Sequence, residues 1–193
     1  MLPHVTGRSA ARWKTGCVPD LASPQQTVRI ERVKWDDDRA ARLRAAMDAE
    51  ITPRYADLNA ALTDEKAAAR AEAFVLDPAT LRGVYLALEA DGTPIGHAAL
   101  RRLEVEGAPV EWELKRLITL PAARGRGVGA LLIEAVEADA AAAGATRVVL
   151  QTGIRQPEAV GLYEKLGYAP IAAYPPYAGR VPEGIYFARE LHA

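Results

Sequence analysis

The sequence predicts an α/β domain with a mixed, largely antiparallel sheet. Three observations indicate this class. Short alternating segments typical of strands recur along the chain and are separated by segments with helical periodicity. Two strand segments flank the tight turn Asp91-Gly92, which predicts an antiparallel hairpin. Farther on, the apolar segment 117–120 passes through an Arg- and Gly-rich turn into an amphipathic helix, and another strand follows it.

The N-terminal part of the predicted domain contains one strand, two helices and the hairpin. Residues 27–33 alternate between apolar and polar side chains and predict the first strand. A helix is expected over 39–47, because the aspartates just before it supply an N-cap. A second helical stretch covers about 63–74. The two strands of the hairpin are expected at 84–89 and 94–101.

The C-terminal part continues with a helix and two strands. Apolar residues recur at helical spacing over 127–143, which predicts the amphipathic helix. Gly144 suits the left-handed position that ends such a helix. Residues 146–152 predict the next strand, and 185–191 predict the last one.

Length and composition exclude several classes of protein. The chain has 193 residues, of which 50% are hydrophobic and 25% charged, as expected for a globular domain that buries a full core. The formal net charge of -1 gives no bulk attraction to nucleic acid or to an anionic membrane, so neither is an expected partner. The single cysteine, Cys17, permits no internal disulfide and fits a cytoplasmic location. No apolar run approaches the length of a membrane span.

Residues 1–26 differ in character from the rest of the chain. They are rich in proline and glycine, contain no acid before Asp20 and show no apolar periodicity. We therefore expect a flexible or loosely docked N-terminal extension, followed by a single domain over 27–193. A transit peptide is the alternative, since the segment is basic, but the segment lacks an amphipathic face.

The turn at 124–129 predicts an anion site. Its glycines let the backbone approach an anion, and the first amides of the helix present unpaired N–H groups to it. A P-loop is excluded because Val128-Gly129 stands where that motif needs Lys and Ser or Thr. Residues 125–130 formally satisfy the dinucleotide pattern G-x-G-x-x-A. However, Pro121 and three more residues separate the strand from the first glycine, and no ribose-binding acid ends the next strand.

The same turn resembles the R/Q-x-x-G-x-G/A signature of the GCN5-related N-acetyltransferase (GNAT) superfamily, which holds the pyrophosphate of coenzyme A. Residues 156–168 resemble the second motif of that family, N-x-x-A-x-x-L-Y-x-x-x-G-F/Y, and 113–121 resemble its fourth strand with a strand-end proline. The motifs cover roughly 111–171, about a third of the chain. The resemblance implies a GNAT-type sheet of about seven strands, flanked by about four helices and splayed between strands 4 and 5.

The resemblance also implies a function. We expect an N-acetyltransferase that uses acetyl-CoA as cosubstrate, without a metal, and acetylates a primary amine, expected to be that of a small molecule, by direct attack in a ternary complex. No covalent acetyl-enzyme is expected, because Cys17 is the only thiol and lies in the N-terminal extension. A homodimer is compatible with the family. A non-catalytic acyl-CoA-binding or regulatory module stays open as the alternative.

Two side chains are candidate catalytic groups. Glu113 lies on the fourth strand where several GNAT enzymes carry a general-base glutamate, with Glu111 in reserve; the alternative is a surface carboxylate paired with Lys115 or a neighbouring arginine. Tyr163 lies where the family places a tyrosine beside the sulfur of coenzyme A, and a phenol there donates a proton to the departing thiolate. Period-2 alternation predicts one face for the odd-numbered residues of 111–119 and the opposite face for the even-numbered ones.

The residues expected to bind the cofactor are main-chain amides at the splay, the Arg/Gly turn, the helix start and a glutamine that replaces the usual asparagine. They are Ile118, Thr119, Leu120, Arg124, Gly125, Arg126, Gly127, Val128, Gly129, Ala130 and Gln156. By analogy with the family, the acceptor pocket draws on Trp35, Tyr55, Tyr85, His97 and the loop Tyr174–Tyr177.

Overall fold

The computed structural model describes residues 28–191 and contains the expected classes of element. The predicted extension, 1–26, lies outside the described residues. The strands are β1 (Arg29–Val33), β2 (Leu81–Leu88), β3 (Pro94–Leu103), β4 (Glu111–Thr119), β5 (Arg147–Gly153), β6 (Ala169–Pro170) and β7 (Gly184–Glu190). The helices are α1 (Asp38–Arg54), α2 (Ala56–Ala60), α3 (Asp64–Ala73), α4 (Val128–Ala142) and α5 (Pro157–Lys165).

The seven described strands form one sheet in the order β1-β2-β3-β4-β5-β7-β6. Every neighbouring pair is antiparallel except β4 and β5, which are parallel. The predicted fold class is therefore confirmed. Five helices are described where about four were expected, because the short α2 carries no side-chain cap that the sequence could reveal. Within residues 28–191 no helix is long and apolar enough to cross a membrane.

Local chemistry sets the helix boundaries. The side chain of Asp37 accepts a hydrogen bond from the amide of Arg39 and caps α1, as the aspartate run predicted. Thr63 caps α3 in the same way through the amide of Lys66. Gly144, just beyond α4, has φ = 83°, so the left-handed residue predicted at that end is confirmed.

The sheet buries apolar side chains on both faces. On one face, Leu132 and Val136 of α4 share a buried cluster with Leu100 and Leu114 of the sheet. On the other face, α1 packs against Leu86, Leu88 and Ile118. Two layers of helix thus cover one sheet, and β4 passes through the middle of the core.

A bulge interrupts β4. His97 pairs with Ile118 but Ala99 pairs with Lys115, so two residues of β4, Arg116 and Leu117, oppose a single residue of β3. Arg116 has φ = 55°, a left-handed conformation that non-glycine residues rarely adopt.

The bulge overturns the predicted alternation along β4. Before it, the even-numbered Leu114 packs on the α4 side of the sheet, but after it the even-numbered Ile118 packs on the α1 side. One extra residue shifts the side-chain register by one position, so every later side chain changes face. Leu117 and Thr119 therefore face α4, whereas Glu113 and Lys115 do not.

The expected splay between β4 and β5 is confirmed. These strands pair only at Glu113 with Val149 and at Leu114 with Leu150. Beyond these two pairs, β4 continues to Thr119 and β5 to Gly153 without further pairing. The gap between them is flanked by two cavities.

Candidate active site

Two adjacent cavities lie at the gap. The glycine-turn cavity, of about 410 Å³, lies between the end of β4, the start of α4 and α5. The tyrosine cavity, of about 340 Å³, lies on the other side of the gap, beneath α1 and α2. Met47, Ile51, Leu117 and Gln156 line both cavities, so the two meet at the gap. The tyrosine cavity is further lined by Tyr55, Arg70, Phe74, Lys115, Arg116, Thr152, Tyr163, Val181 and Glu183.

The start of α4 lies beside a cavity, at the place where the turn predicted an anion site. Gly127 caps the helix with φ = 79°, and Gly125 has φ = 75°, two conformations that only glycine adopts without strain. The amides of Val128, Gly129 and Ala130 donate to no other described residue, and all three residues line the glycine-turn cavity. Three unpaired N–H groups and the positive end of the helix dipole therefore face the same space.

The strand amides only partly match the prediction. The amide of Leu120 donates to the carbonyl of Ile95, 2.9 Å away, and Leu120 does not line the glycine-turn cavity. Because antiparallel pairs alternate, the amide of Ile118 also points to β3 and that of Thr119 points to the gap. Of the three strand amides proposed, Thr119 supplies the one that faces the gap; the other two are engaged in the sheet.

The two arginines of the turn lie in different places. Arg124 lines the glycine-turn cavity; its Nε donates to the carbonyl of Thr119 and its guanidinium pairs with Glu50 at 2.5 Å. Arg126 makes two hydrogen bonds, of 2.7 and 3.0 Å, to the carboxylate of Glu89 in the β2–β3 hairpin. It is absent from the lining of the cavity. The structure thus brings Arg124, but not Arg126, to the predicted cofactor site.

Gln156 joins the two cavities. It lies at the N-cap of α5 and lines both spaces. Its side-chain amide donates to the hydroxyl of Tyr55 over 3.3 Å. The amide of Arg155 donates to the same hydroxyl. Tyr55 therefore fixes the loop between β5 and α5 against the end of α1.

Tyr163 lies at the wall of the tyrosine cavity. Its ring packs against Tyr168 and Phe187, and 6% of the residue is exposed. Its hydroxyl makes no hydrogen bond to any described residue. Burial raises the pKa of this phenol well above its ordinary value. The group therefore keeps its proton and has it available for a molecule in the cavity.

The structure does not bring Glu113 to either cavity. The residue is 0% exposed, and its carboxylate accepts hydrogen bonds from Arg101 at 2.5 Å and from the hydroxyls of Tyr174 and Tyr177, both at 2.8 Å. A carboxylate that abstracts a proton from an amine must touch that amine or a water bound to it. The predicted role of Glu113 as a general base is therefore corrected, and so is the alternative of a surface carboxylate, because the 174–177 loop covers it. The reserve candidate, Glu111, pairs with Arg147 instead.

Lys115 is a cavity residue that the sequence analysis did not select. Its ammonium donates to the hydroxyl of Tyr177 over 2.7 Å and lies 3.8 Å from the carboxylate of Glu113. Burial lowers the pKa of this lysine, and Glu113 opposes that shift. The signal was present in the sequence, because Lys115 is two residues from Glu113 on the same side of a strand that ends at the cofactor motif.

Of the other aromatic and histidine candidates, Tyr55 alone lines one of the two cavities, and the rest have structural contacts elsewhere. Tyr85 donates to Asp139 of α4, and Tyr174 donates to Glu113. Trp35 lies beneath the guanidinium of Arg44. The His97 ring is fully buried; Nδ1 donates to the carbonyl of Arg116 over 2.8 Å, and Nε2 faces the guanidinium of Arg44. Burial lowers the pKa of His97 to about 4, so this ring is a neutral support for the bulge.

Comparison with known proteins agrees with this geometry. The model of the acetyltransferase (GNAT) family matches residues 41–168. A curated relative, the IAA acetyltransferase of Azospirillum brasilense, is 34% identical over 107 residues, which cover 55% of this chain and 67% of the relative.

Solved structures of acyltransferases are similar to this chain in fold. A Klebsiella pneumoniae protein provisionally named an acyl-CoA N-acyltransferase is 26% identical, with a TM-score of 0.66 over 86% of this chain and 99% of that one. A GNAT-family acetyltransferase from Staphylococcus aureus is 14% identical, with a TM-score of 0.60 over 86% of this chain and 100% of that one. At this second level of identity the likeness concerns the fold alone.

Proposed function

The chain belongs to the acetyltransferase (GNAT) family, and from that premise we propose that it transfers an acetyl group from acetyl-CoA to a primary amine of a small molecule. Transfer is by direct attack of the amine in a ternary complex. The observation that carries this proposal is the meeting of the two cavities at the gap between β4 and β5. One cavity presents unpaired amides suited to a diphosphate, and the other presents a free phenol and room for an acceptor.

The glycine-turn cavity fits the pyrophosphate of coenzyme A. Its donors are the amides of Val128, Gly129 and Ala130, which cost no reorganisation when an anion binds. A Cβ atom added to Gly125 or Gly127 would meet nothing within 4 Å, so the space above both glycines is open to a ligand. Bound acetyl-CoA supplies the thioester whose acetyl group is transferred.

The groups around the gap then have separate roles. The amide of Thr119 faces the gap and suits the pantetheine arm or the acetyl carbonyl. The phenol of Tyr163 donates a proton to the departing thiolate, a role for which its raised pKa and unpaired hydroxyl are suited, and the proton that the attacking neutral amine loses on forming the amide restores the phenol. Glu113 acts as a positioning residue, because its carboxylate holds Arg101 and the two loop tyrosines rather than the amine.

The test is a thiol-release assay with acetyl-CoA and a broad panel of primary amines, combined with calorimetric titration of CoA. We expect CoA to bind and at least one small amine to accelerate thiol release. Binding of CoA without turnover across the panel would indicate a non-catalytic acyl-CoA-binding module instead. Absence of CoA binding would remove the cofactor assignment itself.

A further inference from the structure

The tyrosine cavity is bordered by an excess of positive charge. Two ion pairs on its wall are neutral overall, because Arg70 pairs with Glu183 and Arg116 pairs with Asp48. Within residues 28–191, no carboxylate pairs with Lys115 alone. The carboxylate nearest to its ammonium is that of Glu113, and Glu113 is already bound to Arg101 at 2.5 Å.

The carboxylate of Glu113 is therefore the shared counterion of two buried cations, Arg101 and Lys115. The side chains of Arg101 and Lys115 are 6% and 10% exposed, respectively, so solvent screens this charge weakly. Tyr174 and Tyr177 do not supply a second anion, because burial and the nearby carboxylate raise the pKa of both phenols. With Lys115 protonated, the cluster carries one unbalanced positive charge at the wall of the cavity; burial lowers the pKa of this lysine, and a ligand carboxylate beside it favours the charged form.

The ammonium of Lys115 also has unused donors. It carries three N–H groups, and among the described residues it makes one hydrogen bond, to Tyr177. The 3.8 Å separation from Glu113 is too long for a second one. Donors left unused at a cavity wall can be satisfied by an oxygen of a bound ligand.

The remaining wall is apolar and ends at the gap. Ile51, Phe74 and Val181 supply an apolar surface, and Ile51 also lies at the border with the glycine-turn cavity. Leu117, at the same border, follows Lys115 by two residues on β4. A molecule that places an anion at Lys115 can therefore extend its other end to the point where the two cavities meet.

Building on the proposed function, we infer that the acceptor is an amino acid with an apolar side chain, whose carboxylate binds Lys115 and whose amine reaches the gap. The carboxylate balances the extra cation and fills the unused N–H donors. The apolar side chain lies against Phe74 and Val181. The same charge disfavours polycationic acceptors such as polyamines and aminoglycoside antibiotics.

The test compares acceptors that differ only in the carboxylate. Leucine, methionine and phenylalanine are each measured against the corresponding amino-acid amide in the acetyl-CoA assay with the unaltered chain. We expect kcat/KM to be at least tenfold higher for the free amino acids, because the amide lacks the anion. Titration of the CoA-bound protein with the same pairs provides a readout that does not require turnover.

Lys115→Met should remove this preference by lowering kcat/KM for the amino acid and leaving that for the amide nearly unchanged. Lys115→Arg should retain much of the preference, and Lys66→Met, at an exposed position on α3, should retain all of it. Equal or better use of amides or polyamines by the unaltered chain would overturn the inference while leaving the acetyltransferase proposal standing. Preferential binding of amino acids without turnover would support the inference and contradict the proposed function.

Discussion

The glycine-turn cavity and the tyrosine cavity lie against the same strand, β4, but they are built from different parts of the chain. The first presents main-chain amides from one continuous segment, 127–130, whose conformation two glycines allow. The second presents side chains from α1, α3, β4, β5, α5 and the loop before β7. A substitution removes a side chain but not an amide. The side-chain cavity should therefore respond more strongly to single substitutions than the main-chain cavity.

The largest effect is expected for Glu113→Gln. The change leaves Arg101 and Lys115 buried without a carboxylate, which should lower the free energy of unfolding by about 3 kcal/mol or more. Urea unfolding measures this. Glu111→Gln is the matched control, because its partner Arg147 is 38% exposed and keeps access to water. Full stability of Glu113→Gln together with a large loss of kcat would instead restore Glu113 as the base.

Tyr163→Phe should affect chemistry rather than stability. Its hydroxyl has no partner among the described residues, so the fold loses little, whereas loss of the proton donor should lower kcat by about 100-fold. The Kd for acetyl-CoA should stay within about twofold. Tyr168→Phe is the control, since that hydroxyl donates to Glu137 away from the cavities. Unchanged turnover in Tyr163→Phe would remove this residue from the mechanism.

His97 links the stability of the bulge to pH. Its pKa is about 4 in the folded chain and about 6.5 when unfolded, so the unfolded state binds the proton first as the pH falls. The contribution of the neutral His97 ring to the free energy of unfolding is complete above pH 6.5 and is lost as the pH falls towards 4. Between pH 7 and pH 5 the loss is about 2 kcal/mol. The free energy of unfolding, measured with urea at both pH values, should change less with pH in His97→Gln than in the unaltered chain. An equal change in both would contradict a neutral His97 ring.

The main-chain cavity can be tested through its glycines. Gly127→Ala places a side chain at φ = 79°, which costs roughly 1 kcal/mol and moves the donors, so the Kd for CoA should rise by about five- to tenfold. Gly144→Ala is the matched control: its φ is 83° and it ends the same helix far from the cavity. Both variants should lose similar stability, but only the first should lose affinity in calorimetry. Equal affinities of Gly127→Ala and Gly144→Ala for CoA would contradict a role of this turn in CoA binding.

The smallest effects should come from the two arginines of the turn. Arg124→Ala should raise the Kd for CoA by about threefold, because the guanidinium lines the cavity but is exposed and shared with Glu50. Arg126→Ala should change that Kd by less than about twofold, because this side chain is bound to Glu89. Calorimetric titration with CoA at fixed ionic strength measures the Kd of each variant. A larger effect at Arg126 would mean that the turn rearranges when CoA binds.

The contrast between main-chain groups from one segment and side chains from several elements also explains which parts of the site could be predicted from sequence. The amides at the start of α4 come from residues close together in the chain, so this part of the candidate site could be predicted directly. The amide of Leu120 was misplaced because its partner, Ile95, lies on another strand. Glu113 was misplaced because Tyr177, which covers it, is 64 residues away. Such contacts follow from tertiary packing, which local patterns do not contain.

Local sequence patterns also predicted the fold only in part. Strand and helix positions were predicted from periodicity, but the bulge at Arg116 has no local signal, because the residue that adopts the left-handed conformation is an arginine rather than a glycine. Period-2 alternation therefore failed halfway along β4. The carbonyl that His97 holds, 19 residues away in sequence, belongs to that arginine.

The extra residue in β4 also governs tolerance to insertions and deletions. If Arg116 were deleted, β4 could pair with β3 without interruption, and Leu117 and Ile118 would keep the faces they now occupy. The tyrosine cavity would lose the Arg116 side chain, and His97 would lose the carbonyl to which its ring donates. Natural length variation in homologous chains should therefore collect in the connection between β3 and β4 and spare this short stretch of strand.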